Sequence, residues 1–306
     1  MSIQLTESEW ENLHRLIYQA KDEDLGTGDI TGRLLPADLK VHSQFVAREP
    51  MVVCGGAMLG RIVQAYDDMT KVTLLAEDGQ RVAPGEVIAE CTGLAWAVMA
   101  GERVALNFLQ RLSGIATLTR QYVEAVAGTG AGIYDTRKTT PAWRELEKYA
   151  VRAGGGENHR RGLYDAVLVK DNHLAALARA GEPSALQDIG ARLNELRREL
   201  GRDGFIEVEV DTLEQLAQAL TLPVDVILLD NMNPEQLTQA VDMRNAAGLA
   251  GKVAMEASGG ITLETIQATA KTGVERIAVG AITHSAKAVD IGLDMHLENE
   301  EPGVHD

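Results

Sequence analysis

Residues 205–230 read FIEVEVDTLEQLAQALTLPVDVILLD. Two short apolar runs flank LEQLAQAL, whose composition and spacing are helical. A strand, a helix and a second strand in so short a span make a parallel unit, because parallel strands need a crossover connection. The rhythm extends both ways, with GIYD at 132–135, AVLVK at 166–170, VAMEAS at 253–258 and RIAVG at 276–280. Such repetition specifies a parallel sheet, either open and doubly wound or closed into a barrel. Lys170, Glu209, Asp230, Ser258 and Gly280 all fall at or near the C-terminal ends of these runs. Barrel enzymes place their catalytic groups there, so a barrel is favoured. With about six strong strands against the eight of a complete barrel, an incomplete one is expected.

Within FIEVEV, period-two alternation sets Ile206, Val208 and Val210 on one face and Glu207 and Glu209 on the other. If helices cover the apolar face, the glutamates point into the barrel and need cations, a metal or donors. Lys138 and Lys170 are the candidate partners, and the competing reading is an edge strand with solvated glutamates. Lys170 suits a Schiff-base nucleophile, an anion anchor or an ordinary strand-end charge. Asp230 suits Mg²⁺, a ribose hydroxyl or a helix cap. The last two strands run into SGGIT and VGAIT, where glycines let backbone N–H groups approach phosphate.

The chain has 306 residues and a formal net charge of -16. That balance argues against general affinity for nucleic acid or anionic membranes. Between Arg103 and Lys170, however, eleven Lys and Arg face six Asp and Glu. DTRKTTPAWR at 135–144 and GGGENHRRG at 154–162 concentrate these cations beside glycines. Arginine forks match carboxylate or phosphate, and a glycine run lets a ligand approach backbone. Arg144, Lys148, Arg152 and Arg161 read mostly as helix-face or ion-pair residues, and His284 as structural or supporting. Two cysteines, Cys54 and Cys91, form no disulfide framework and read as core. The N-terminus is polar and amphipathic, no apolar run reaches membrane-spanning length, and a cytoplasmic location is expected.

The first third mixes helix and short strands. Glu7 to Asp24 reads as an amphipathic helix with Trp10, Leu13, Leu16 and Ile17 at helical spacing. SQFVAREP, KVTLLAEDG and QRVAPGEVIAEC read as strands, and Ala95 to Gly128 as helix broken near Ser113-Gly114.

EDLGTGDIT, ERVALNFLQRLSGIAT, DTRKTTP, EKYAV, GGGENHR, GLYDAVLVKDNH, IEVEV, ILLDNM, EASGGIT and VGAITHS together resemble the quinolinate phosphoribosyltransferase family. The match covers nearly the whole chain, and so many ordered motifs make it specific. The resemblance implies an α/β chain in two domains. Residues 1–117 would form an N-terminal α/β sandwich with the tail 287–306 packed on it, and 118–286 an incomplete, open α/β barrel of TIM-like type. It implies transfer of phosphoribosyl from phosphoribosyl pyrophosphate to quinolinate with decarboxylation, giving nicotinate mononucleotide, pyrophosphate and CO₂ in NAD biosynthesis. It further implies Mg²⁺ and a homodimer with shared active sites.

By the same resemblance, Arg137, His159, Arg160 and Lys170 hold quinolinate, with Arg103 arriving from the neighbouring subunit. Thr136 joins the substrate-binding set, and Lys138 contacts the pyrophosphate arm. Glu209 and Asp230 position ribose hydroxyls and Mg²⁺, directly or indirectly. Ser258, Gly259, Gly260 and Gly280 cradle the 5′-phosphate. Lys138, Lys170, Glu209 and Asp230 form the expected catalytic set. The family usually has Pro-Gly-Leu-Arg after DTRKT, whereas this chain has Pro141-Ala142-Trp143-Arg144. The stretch from Ala175 to Asp203 is also longer than usual. Competing functions are a Schiff-base aldolase-like barrel using Lys170, or a pyrophosphorylase-like paralogue of different specificity.

Overall fold

A computed structural model describes residues 3–181, 186–201 and 204–297, without the side chains of Gln187, Asp188 and Leu297. The chain divides into two compact units. The first holds the chain up to Arg120, Thr139–Gly155 and the stretch from Ile282 onward; the second holds Gln121–Lys138 and Gly156–Ala281. The expected tail beyond Leu297 lies outside the described residues, as do 182–185 and 202–203 of the long Ala175–Asp203 stretch.

The first unit opens with α1 (Glu7–Leu25), whose Thr6 and Glu9 form a reciprocal capping box. Leu13, Leu16 and Ile17 are buried as expected from their spacing, while Trp10 is partly exposed. Strand β1 (Lys40–Ala47) alternates as a half-buried strand and sends Val41 and Phe45 into the core. Next come β2 (Met51–Val52), α2 (Gly56–Gln64), β3 (Lys71–Leu74), β4 (Arg81–Val82) and β5 (Val87–Leu94). A C-terminal strand, β12 (Ile291–Leu297), pairs antiparallel with β1, giving the sheet order β12-β1-β5-β3.

The expected break at Ser113-Gly114 is absent: α3 is one 31-residue helix, Ala95–Ala125. Both breaker-type residues have other duties. Ser113 Oγ accepts from the Cys54 N–H at 2.9 Å and donates to the Cys54 carbonyl at 3.1 Å. A Cβ on Gly114 would lie 1.9 Å from the Lys287 carbonyl oxygen, so the glycine permits a close backbone approach. In α4 (Arg144–Ala153), the fully buried Glu147 accepts from Arg111 Nη2 at 2.7 Å. Arg111 also donates to the carbonyls of Thr283 and Ala286, and Glu147 accepts from Thr140 Oγ1 at 2.8 Å. Cys54 and Cys91 are buried and free.

The second unit is a six-stranded parallel sheet. Its strands are β6 (Gly132–Tyr134), β7 (Val167–Val169), β8 (Ile206–Val210), β9 (Val226–Asp230), β10 (Ala254–Ser258) and β11 (Arg276–Ala278). Helices α5 (Asp171–Arg179), α6 (Gly190–Glu199), α7 (Leu213–Ala219), α8 (Pro234–Ala246) and α9 (Ile266–Ala270) alternate with them, and α10 (Ala281–His284) follows β11. The order β6-β11-β10-β9-β8-β7 is that of a barrel: from β7 to β11 each new strand lies beside the previous one, and β11 pairs with β6. No pairing joins β6 to β7 among the described residues, so the barrel is open there. A one-residue bridge from Glu157 lies along Tyr134 of β6 instead. Ile206, Val208, Ile227, Leu229 and Met255 are buried in this core.

Candidate active site

Asp135 follows β6 and is fully buried. Its Oδ1 accepts from the His159 N–H at 2.8 Å, and its Oδ2 from the Asn158 side-chain amide at 2.7 Å. One carboxylate therefore ties the start of the 136–138 segment to the loop carrying His159, Arg160 and Arg161. Thr136 Oγ1 accepts from the Lys138 N–H at 3.1 Å and shapes the turn that carries Arg137 and Lys138.

Arg160 is buried to 9% exposure, and its Nη1 donates to the Ala166 carbonyl at 3.3 Å. Burial first, and then the charge of Arg137, lower the Arg160 pKa from the ordinary guanidinium value. Two guanidinium groups so placed repel one another and favour an arriving anion. Arg160 and His159 line a cavity of about 460 Å³ with Asn158, Tyr164, Asp165 and Phe205.

Lys170 follows β7, and its ammonium makes an ion pair with Glu209 of β8. Asp230 at the end of β9 accepts from the Asn231 side-chain amide at 2.7 Å. Asn231 is in the left-handed region at φ 54°, and its N–H donates to the Ser258 carbonyl at 2.9 Å. Gly259 has φ 93°, and a Cβ there would stand 2.1 Å from Asn231 Oδ1, so both backbone and space demand glycine. Gly260 follows at φ 60°, while Gly280 directly precedes α10.

The expected residues thus fall into neighbourhoods within the second unit: Arg137 with Arg160, Lys170 with Glu209, and Asp230 with Ser258 and Gly259 through Asn231. Arg103 belongs to the first unit. There it is exposed on α3 and lines a cavity of about 380 Å³ with Asn107, Ala142 and Trp143. Glu209 meets Lys170 as the alternation suggested, but the cation on Glu207 is His159 rather than Lys138 or Lys170. The reason is depth: Glu207 lies two residues before Glu209 on the same face, below the strand-end lysines.

His159 also differs from expectation in its surroundings. Its Nε2 donates to Glu207 Oε2 at 2.8 Å and lies 3.4 Å from Glu256 Oε1, while its Nδ1 lies 2.7 Å from the Arg160 backbone nitrogen. Burial opposes the imidazolium, but the two carboxylates outweigh it and raise the His159 pKa to about 9. Glu256 is likewise opposed by burial, yet His159 and Arg276 hold its pKa low; Arg276 Nε donates to Glu256 Oε2 at 2.5 Å. Burial, then the Glu256 charge, push Glu207 upward, since His159 is its only direct cationic contact among the described residues. Glu207, Glu256 and His159 also have metal-ligand spacing. Arg276 and the imidazolium already balance the two carboxylates, which disfavours a further cation. Sequence reasoning missed Glu256 and Arg276. The available signal was alternation: Glu256 sits two residues before Ser258, as Glu207 does before Glu209.

An open parallel barrel with cations, acidic groups and glycine turns at its strand ends defines an enzyme for a small, multiply charged anionic substrate. The chain belongs to the quinolinate phosphoribosyltransferase family. The family's N-terminal domain model matches residues 29–113 and its C-terminal domain model residues 115–294. The chain is 42% identical over 278 residues to the probable nicotinate-nucleotide pyrophosphorylase (carboxylating) of Bacillus subtilis, covering 91% of each chain. It is 41% identical over 295 residues to the nicotinate-nucleotide pyrophosphorylase (carboxylating) of Mycobacterium leprae, covering 95% of this chain and 100% of that one. The solved nicotinate-nucleotide pyrophosphorylase of Francisella tularensis superposes with TM-score 0.85 at 36% identity, over 97% of this chain and 99% of that one. The chain is accordingly a phosphoribosyltransferase of the carboxylating pyrophosphorylase type. No helix among the described residues is long and apolar enough to cross a membrane.

Proposed function

We propose that the chain transfers the phosphoribosyl group of phosphoribosyl pyrophosphate to the ring nitrogen of quinolinate, releasing pyrophosphate and CO₂ and leaving nicotinate mononucleotide for NAD biosynthesis. The observation that carries this reading is the buried Arg160 beside Arg137, whose mutual repulsion a dianionic ring relieves. Quinolinate brings two carboxylates, which suit two guanidinium forks, and Lys138 is left for the pyrophosphate arm. Lys170, paired with Glu209, acts as an anion anchor rather than as a free amine nucleophile. That pairing favours phosphoribosyl transfer over the aldolase reading.

As the bond from ribose C1 to pyrophosphate breaks, positive charge develops on the sugar. Glu209 and Asp230 lie at neighbouring strand ends and supply carboxylates to hold ribose hydroxyls and stabilise that charge. Ser258, Gly259, Gly260 and Gly280 offer short side chains and accessible backbone for the 5′-phosphate. After transfer, the quaternised ring nitrogen accepts the electron pair released when the adjacent carboxylate leaves as CO₂. Glu209 and Asp230 are hard oxygen donors that fit Mg²⁺, which when bound neutralises pyrophosphate charge. A homodimer in which Arg103 completes the neighbouring subunit's site, and a cytoplasmic location, belong to the same reading.

The test is nicotinate mononucleotide formation by Arg137→Ala and Lys138→Ala variants. Arg137→Ala is expected to raise the quinolinate KM by about 10–100-fold, the loss of one charge-assisted contact. Lys138→Ala is expected to act on the phosphoribosyl pyrophosphate KM and on kcat. Equal effects of both variants on both substrates would refute the division of labour.

A further inference from the structure

The barrel interior holds four charged groups below the strand-end residues: Glu207 on β8, Glu256 on β10, Arg276 opening β11 and His159 from the loop before β7. Glu207 and Glu256 are fully buried, and His159 is 7% exposed. Arg276 is pinned on three sides. It donates to Glu256 and lies with its guanidinium carbon 3.9 Å from the Tyr134 ring centroid and 5.2 Å from that of Phe205. Phe205 in turn meets the His159 ring edge-on at 5.4 Å. His159 is therefore enclosed by side chains of β8 and β10 and by Phe205 just before β8, and its Nδ1 lies 2.7 Å from the Arg160 backbone nitrogen.

We propose that Glu207, Glu256 and Arg276 are positioning residues for the transfer reaction. They hold His159 in one orientation, and His159 in turn fixes the backbone of Arg160, whose guanidinium feels the charge of Arg137. Taking four charges out of water is costly, and apolar residues of similar size would fill the same space with less desolvation. The return is rigidity: charges held by the His159–Glu207 and Arg276–Glu256 pairs and wedged against the Tyr134 and Phe205 rings admit few alternative arrangements. The Arg160 guanidinium repels that of Arg137, and a fixed backbone beneath it keeps it in place against that repulsion. The sequence places Arg160 directly after His159, so ring orientation and arginine backbone are coupled without any intervening residue.

The inference rests on the proposed use of quinolinate, and the experiment separates the two. Glu207→Gln keeps an acceptor for the His159 Nε2–H, whereas Glu207→Met has similar length and none. The methionine variant is expected to raise the quinolinate KM by about 10–100-fold, the usual cost of losing a group that orients a ligand-binding residue. Its KM for phosphoribosyl pyrophosphate should stay within about 3-fold of wild type, and the glutamine variant should recover most of the quinolinate effect. In ¹⁵N spectra, the His159 ring signals of the methionine variant should lose the fixed Nε2–H pattern that the glutamine variant retains. If Glu207→Met does not fold, Glu256→Met takes its place, since it removes the second acceptor facing Nε2, and the same selective rise is expected. A folded variant with unchanged quinolinate KM, or with both substrate KM values raised alike, overturns the positioning role. A wild-type protein that makes no nicotinate mononucleotide overturns instead the reading on which it rests.

Discussion

Ala142 occupies a backbone position at φ 67°, in the left-handed region that a Cβ disfavours. The strained turn is held from outside, for the Asn12 side-chain amide donates to the Ala142 carbonyl at 2.9 Å. Next to it, Trp143 stacks on Phe108 with ring centroids 4.7 Å apart. Ala142→Gly is expected to stabilise the protein by about 1 kcal/mol, the relief of left-handed strain less the extra entropy of an unfolded glycine. A higher urea midpoint with unchanged slope would register it, and a lower midpoint would contradict it. This departure from the family's usual glycine was visible in the sequence, whereas its consequence for backbone φ was not. Lys170 with Glu209 was legible because both lie at strand ends on predictable faces. Glu256 and Arg276 were not, because an inward-pointing charge on a short strand reads like any other polar residue until the sheet order brings its partner beside it.

At the scale of elements, buried charges join the helices of the first unit. Glu147 of α4 has no exposed surface, and its ion-pair partner Arg111 comes from α3. Arg111→Met should cost about 3–5 kcal/mol in denaturant unfolding, because a buried carboxylate would be left without its cation. The neutralising pair Arg111→Met with Glu147→Gln should recover part of that loss. In the second unit, the His159 pKa is raised to about 9, against an ordinary value near 6.5. Its contribution to stability is then complete below about pH 6.5 and is lost as pH rises through about 9. Thermal unfolding should show a falling midpoint over that window, and His159→Gln should flatten it. A midpoint insensitive to the substitution across the window would refute the assignment. Helix and strand existence was legible here because periodicity is local. The continuity of α3 through Ser113-Gly114 was not, since what keeps those residues helical is a hydrogen bond to Cys54 and the approach of the Lys287 backbone.

Taken whole, the chain combines a net charge of -16 with a basic stretch that supplies Arg137, Lys138, Arg160 and Lys170. Bulk charge discourages nonspecific polyanion binding, while local cations select small ones. The architecture of alternating strands and helices could be read from periodicity, and the barrel order follows from β8 to β11 each pairing with its predecessor and β11 pairing with β6. The division of the chain into units was harder to see, because Thr139–Gly155 groups with the first unit although flanking segments build the second. Nothing in local composition marks that excursion. The central claim is that these cations hold quinolinate and phosphoribosyl pyrophosphate for transfer and decarboxylation. Its most direct test is purified protein with Mg²⁺, phosphoribosyl pyrophosphate and quinolinate carrying label in the carboxylate next to the ring nitrogen. The account predicts labelled CO₂ and nicotinate mononucleotide in equal amounts, both dependent on phosphoribosyl pyrophosphate. Absence of both products, with nicotinate accepted in place of quinolinate or a carbonyl substrate trapped by borohydride on Lys170, would contradict it.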